Sequence, residues 1–253
     1  MKIVFRACDA INSLHISTDG NNPRPFNLHK KEIIKISATS LKESIKDIDH
    51  QFYLIGDRVS DETWSFLKKL LNPVFSFNSK ERLGDGGSLL ECSKLAMTFK
   101  DEDLIYFAED DYLHDPSTFS KKLDSFLKFA DTNLSVPWFV HPTDYPDQYT
   151  RLLRRCYIFQ TDFGYWREVA TTTHTFMTHK KHYAKFVDFF RECHAEDGND
   201  GKLSTIFGKE ALCFSPLPGI ATHMHRGTYS NYVNWEALIR KFASENIDWN
   251  KVM

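Results

Sequence analysis

The five cysteines, Cys8, Cys92, Cys156, Cys193 and Cys213, stand far apart, and no CxxC occurs. Their odd number and wide spacing argue against a disulfide framework and a zinc knuckle. A reduced, intracellular protein is the expectation. No run approaches the ~20 apolar residues of a membrane span. Met1 leads straight into Lys2-Ile3-Val4-Phe5, too short for the apolar segment of a signal peptide. A cytoplasmic location is expected. Charge of one sign is also lacking. The net is −2, so bulk attraction to nucleic acid or to an anionic membrane is not indicated. Neither a GxxxxGK[ST] nor a GxGxxG loop is present. Internal repeats, linkers and low-complexity stretches are absent too.

What is there suffices for a folded core. The 253 residues are 42% hydrophobic and include 21 Phe spread along the chain, read as core packing. The organising stretch is Leu104-Ile105-Tyr106-Phe107-Ala108 followed by Glu109-Asp110-Asp111. Five apolar residues in a row read as a strand buried on both faces. It must stop at the acids, because three adjacent carboxylates are not buried unpaired. The carboxyl edge of an open α/β sheet is where ligands bind. Crowded like charges are relieved by a divalent cation. Alternation would turn Glu109 and Asp111 to one side and Asp110 to the other, a carboxylate pattern suited to Mg²⁺ or Mn²⁺. A solvated acidic loop is the competing reading.

Before this turn, strands are expected at Lys2 to Cys8, His50 to Ile55 and Val74 to Phe77. Helices are expected at Asn27 to Ile48, Asp61 to Leu71 and Leu89 to Phe99. Ile11 to Phe26 reads as an ordered polar loop. Such alternation predicts a doubly wound sheet. The glycines of the Arg82 to Gly87 loop permit close backbone approach ahead of free helix N–H groups. That is a weak nucleotide signal, matched by the reading of an ordinary βα turn.

After the turn, Ser117 to Ala130 and His182 to Cys193 read as helices, the latter burying Tyr183, Phe186, Val187 and Phe190. Trp138 to Val140, Tyr157 to Phe159 and Tyr165 to Val169 read as strands. Thr171-Thr172-Thr173-His174-Thr175 either lines a sugar pocket or forms the polar face of an edge strand. Glu196-Asp197-Gly198-Asn199-Asp200 precedes an expected helix, Lys202 to Phe207, where acids commonly cap. His223 and His225 share one face of an extended segment. A last short helix is expected from Trp235 to Phe242.

The order of these parts resembles a GT-A-fold glycosyltransferase. The phrases FAEDDYLHDP, HPTDYPDQY, YWREVATTTHTF and FSPLPGIATH resemble a small group that includes chlorovirus glycan-building enzymes. The resemblance covers about residues 1 to 226 and implies an α/β, Rossmann-like single domain over 1–253 with a central mixed, mostly parallel sheet flanked by helices. About 1–130 would bind the nucleotide and about 131–253 the acceptor. Glu109-Asp110-Asp111 would be the "DXD" motif, although its first residue is Glu. Ala195-Glu196-Asp197 would be the later acidic motif.

The resemblance implies transfer of a sugar from a UDP- or GDP-sugar donor to a glycan hydroxyl. Mn²⁺ or Mg²⁺ would be held by Asp111, Glu109 and one of His223 and His225. Asp197 would be the base of an inverting reaction, with Glu196 beside it. Arg6, Asp9, Asp57, Arg82, Gly86 and Asp110 are candidates at the donor nucleotide. Asp144, Trp166 and Thr173 are candidates at the sugars. Two rival readings remain. One is a nucleotidyltransferase acting on sugar phosphates, although Arg6-Ala7-Cys8-Asp9-Ala10 lacks the expected glycine-rich loop. The other is a catalytically inactive glycan-binding module.

Overall fold

Alternate residues of the first strand face two different hydrophobic layers, and this fixes the architecture. In the computed structural model the described residues are 1–10, 24–150, 156–196, 200–225, 227–230 and 232–246. Strand β1 (Lys2–Ala7) sends Ile3, Phe5 and Ala7 into one layer and Val4 into the other. Strand β4 (Leu104–Glu109) does the same with Tyr106 and Ala108 against Ile105 and Phe107. Burial on both faces is why the run is continuously apolar.

β1 pairs in parallel with β4 and with β2 (Gln51–Asp57), and β2 with β3 (Phe75–Ser79). The sheet continues through β9 (Phe176–His179), β6 (Trp138–Val140), β10 (Leu212–Leu217), β8 (Gly164–Glu168) and β7 (Ile158–Thr161). Its order is β3-β2-β1-β4-β9-β6-β10-β8-β7. Strands β9 and β8 run against the rest. The sheet is therefore mixed, with a parallel front, as expected. A two-stranded antiparallel sheet joins β5 (Tyr112–His114) to β11 (Ala221–His223).

Helices α1 (Lys30–Ser44), α2 (Asp61–Leu71) and α4 (Phe119–Asn133) cover one face. Helices α3 (Gly84–Ala96), α6 (Lys180–Lys185) and α7 (Val187–Ala195) cover the other. A short helical turn, α5 (Asp147–Thr150), follows β6. Helix α8 (Trp235–Asn246) packs on α1, burying Trp235, Ile239 and Phe242 with Ile33, Ile36 and Met224.

Several boundaries depart from the sequence reading. Helix α3 begins at Gly84, five residues before Leu89, because Asp57 accepts hydrogen bonds from the N–H groups of Leu83 and Gly84 at 3.1 and 3.0 Å. That carboxylate supports a glycine-rich start which propensity disfavours. The segment expected as one helix from His182 to Cys193 is two, divided at Phe186, whose backbone leaves helical geometry (φ −121°). The helix expected at Lys202 to Phe207 is a 3-10 turn, Asp200–Thr205. The loop expected at Ile11 to Phe26 falls mostly outside the described residues.

Candidate active site

The parallel register sets Arg6 of β1 beside Glu109 of β4. Both side chains point to the α3 face, and they form an ion pair. Arg6 also donates to Asp85 at 2.5 Å and to Ser88 at 3.0 Å, both on α3. Thr175 Oγ1 donates to Glu109 at 2.9 Å and accepts the Glu109 N–H at 3.2 Å. Burial acts against the Arg6 charge, but Glu109 and Asp85 overcome it and raise its pKa. Both partners are thus held in place.

Asp110 and Asp111 lie in the turn between β4 and β5, no longer extended. The expected split of Glu109 and Asp111 from Asp110 therefore does not occur. Lys30, the first residue of α1, donates to Asp110 at 2.6 Å and to Asp111 at 3.0 Å. Asp110 also accepts the N–H of Cys8 at 2.8 Å. Burial raises the pKa of Asp110, with Lys30 opposing. For Asp111 burial acts in the same sense, yet the charges of Lys30 and His223 outweigh it and hold the carboxyl well below its ordinary range.

Pairing of β5 with β11 places His223 opposite Tyr112, with the two rings stacked 5.0 Å apart. The N–H of Met224 donates to the Asp111 carbonyl at 2.8 Å, tying the end of β11 to the acidic turn. His223 Nε2 lies 3.3 Å from Asp111 Oδ1, and His225 stacks on His223 at 4.0 Å. Asp111, His223 and His225 each offer a ligand atom, all within 4.8 Å of one another. Burial acts against charge on His223, but Asp111 raises its pKa. Burial and then the neighbouring His223 push His225 down to about 4. One ionised carboxylate with two imidazoles is a donor set that fits a divalent cation. Among the described residues Glu109 is not in this group, being engaged by Arg6 and Thr175.

Other expected residues have different occupations. Asp9 accepts from the N–H and hydroxyl of Ser60, at 2.7 and 2.6 Å, ahead of α2. Asp57 serves α3, Gly86 is buried in the first turn of α3, and Arg82 is exposed. Trp166, expected against a sugar, is fully buried against Phe126 in the core, because the alternation of β8 turns it inward. Glu196 closes α7 and pairs with Lys202 on the surface. Asp197 lies outside the described residues.

A cleft of about 150 Å³ opens beyond the acidic turn, lined in part by His141, Tyr145, Arg167 and Thr171 to Thr173. Arg167 donates to the buried Asp144 at 2.6 Å and lies over the Tyr149 ring, whose hydroxyl also donates to Asp144 at 2.6 Å. Thr172 bonds His141, and Thr173 meets the Tyr112 hydroxyl at 2.9 Å. Thr171 to Thr173 thus line this cleft and form no edge strand. Sequence reading missed Lys30, which no motif marks. Arg167 and Thr175 sit in stretches that were singled out, without the partners that the structure gives them.

No family model matches the sequence and no curated protein matches it. Solved structures match the fold. A galactosyltransferase, LgtC, crystallised with donor and acceptor sugar analogues, superposes with a TM-score of 0.53 at 14% identity over 100% of both chains. TarS from S. aureus gives 0.51 at 14% identity, over 99% of this chain and 41% of its own. HddC from Yersinia pseudotuberculosis gives 0.50 at 15% identity, over 95% of this chain and 99% of its own. The shared property is the GT-A, Rossmann-like α/β fold.

Proposed function

We propose that this chain is a metal-dependent glycosyltransferase that moves a sugar from a nucleotide-diphosphate donor, a UDP- or GDP-sugar, to a hydroxyl of a glycan acceptor. The observation that carries the reading is the Asp111, His223 and His225 group beside the parallel strand ends, in a fold shared with a sugar-transferring enzyme. The two imidazoles favour Mn²⁺ over Mg²⁺, which prefers all-oxygen sites. When bound, the ion offsets charge developing on the departing nucleoside diphosphate. Glu109, fixed by Arg6 and Thr175, supports the ion through water instead of directly.

The front of the chain, about 1–130, receives the nucleotide, and the back, about 131–253, the acceptor. Arg6, Asp9, Asp57 and Asp110 serve the donor by fixing the backbone that borders it, given the partners they already hold. The cleft with Thr173 and the Asp144–Arg167 pair supports the acceptor assignment, since it offers hydroxyl and aromatic groups to a sugar. Asp197 takes the proton from the attacking hydroxyl, and a single base with in-line attack gives inversion. The support for Asp197 is its place in the acidic motif of the resembled family, which extends to the chlorovirus enzymes. The dispersed cysteines favour a cytoplasmic setting.

A panel of nucleotide sugars tested by thermal shift with Mn²⁺ checks the reading, because a ligand of the native state must raise the melting temperature. One UDP- or GDP-sugar is expected to raise it, and only with the ion. Absence of any shift across the panel, with no donor hydrolysis, overturns the reading. A transfer product of retained anomeric configuration removes the single-base mechanism alone.

A further inference from the structure

Asp111 divides its two oxygens between two kinds of partner. Oδ1 faces His223 Nε2 at 3.3 Å, on the side where His225 stacks. Oδ2 accepts from Lys30 at 3.0 Å, and Lys30 reaches across to Asp110 Oδ1 at 2.6 Å. A divalent ion held by Asp111, His223 and His225 therefore lies on the side away from the ammonium, and Lys30 keeps its place when the ion binds.

Nearest the ion the charges then favour an anion. Glu109 is matched by Arg6, and Asp85, the other partner of Arg6, has a side chain 63% exposed to solvent. Asp110 and Asp111 with a divalent ion would be neutral, and Lys30 makes that cluster positive. An ammonium has three donors, and the two carboxylates account for two of them. The Lys30 side chain is 17% exposed, so it is neither sealed in the core nor loose on the surface. It is also fixed at the start of α1, where the N–H of His29 donates to Glu32 at 2.6 Å and anchors the first turn.

We propose that Lys30 is a donor-binding residue, a second cation supplied by the chain that contacts the diphosphate of the nucleotide beside the divalent ion. This inference rests on the glycosyltransferase reading. If Lys30 were only a counter-ion for two crowded acids, its removal would cost stability and leave phosphate binding untouched. Charge-assisted contacts of this kind correspond to about tenfold or more in affinity.

The test uses the full chain and calorimetric titration of UDP and GDP at saturating Mn²⁺, with Mn²⁺ alone titrated separately. Lys30→Met is expected to weaken binding of the preferred nucleoside diphosphate by at least about tenfold, with Mn²⁺ affinity equal or tighter. Lys30→Arg is expected to recover most of the loss. Lys30→Met combined with Asp110→Asn, which removes the unmatched buried carboxylate, is expected to melt like wild type and still bind weakly. Unchanged nucleotide affinity in Lys30→Met overturns the inference, as does full recovery in the double variant. Wild type that binds a nucleoside diphosphate while Lys30→Met binds it equally leaves the functional reading intact. Wild type that binds neither UDP nor GDP removes both.

Discussion

His141 shows how a single buried side chain sets a condition on the site. It follows β6, bonded to Thr172 at 3.0 Å and to Thr143 through its other nitrogen. Burial, followed by the charge of Arg167, pushes its pKa down from 6.5 to about 3. Between those values the unfolded chain takes up a proton that the folded chain refuses. Stability is therefore complete above about pH 6.5 and falls as pH drops through that window. His141→Gln keeps a polar side chain that cannot charge. Between pH 7 and pH 5 it is expected to lose about 2 kcal/mol less unfolding free energy than wild type. Urea unfolding at the two pH values reads the difference, and equal losses in the two proteins contradict it. His114, pushed down to about 3 by burial, acts in the same sense in both proteins and leaves the difference intact.

Among the elements, β11 carries the most consequence for its length. Its three residues hold His223 against the acidic turn through pairing with β5. The approach to it is tight. A Cβ on Gly219 would lie 2.8 Å from the backbone nitrogen of Asp144 and 3.2 Å from the Ala221 carbonyl. Backbone cannot give way as a flexible side chain can, so Gly219→Ala is expected to shift β11. The cost should be about 1–3 kcal/mol, with weaker Mn²⁺ binding measured by titration. Unchanged stability and unchanged metal affinity would contradict this. Elements with strong local patterns were legible in the sequence: β1, β4 and α2 follow from their apolar periods and end signals. The antiparallel insertion of β9 between β4 and β6 was not, because four residues carry no record of their neighbours. The early start of α3 depends on Asp57, which is distant in sequence. Trp166 was misread because an aromatic beside arginine suits a sugar and a core equally, and only the packing of Phe126 decides.

At the scale of the whole molecule, the end of β4 in the large sheet, the start of α1 and the small β5–β11 sheet bring residues from both halves of the chain together. The acidic turn comes from β4, Lys30 from the start of α1, and the histidines from a segment more than a hundred residues later. Their types were readable, and so was Asp111 with a late histidine. Their joint geometry was not, since it depends on β5 pairing with β11 and on a lysine with no motif around it. On the proposed function this gathering binds a divalent ion and, through it, a nucleoside diphosphate. The most direct measurement is titration of UDP and GDP into wild type, Asp111→Asn, His223→Ala and His225→Ala, each with Mn²⁺ and with chelator. Mn²⁺-dependent binding is expected in wild type, and its loss in Asp111→Asn, which still unfolds cooperatively. Both histidine variants should bind Mn²⁺ more weakly. Mn²⁺-dependent nucleotide affinity that is unchanged in Asp111→Asn would contradict the account.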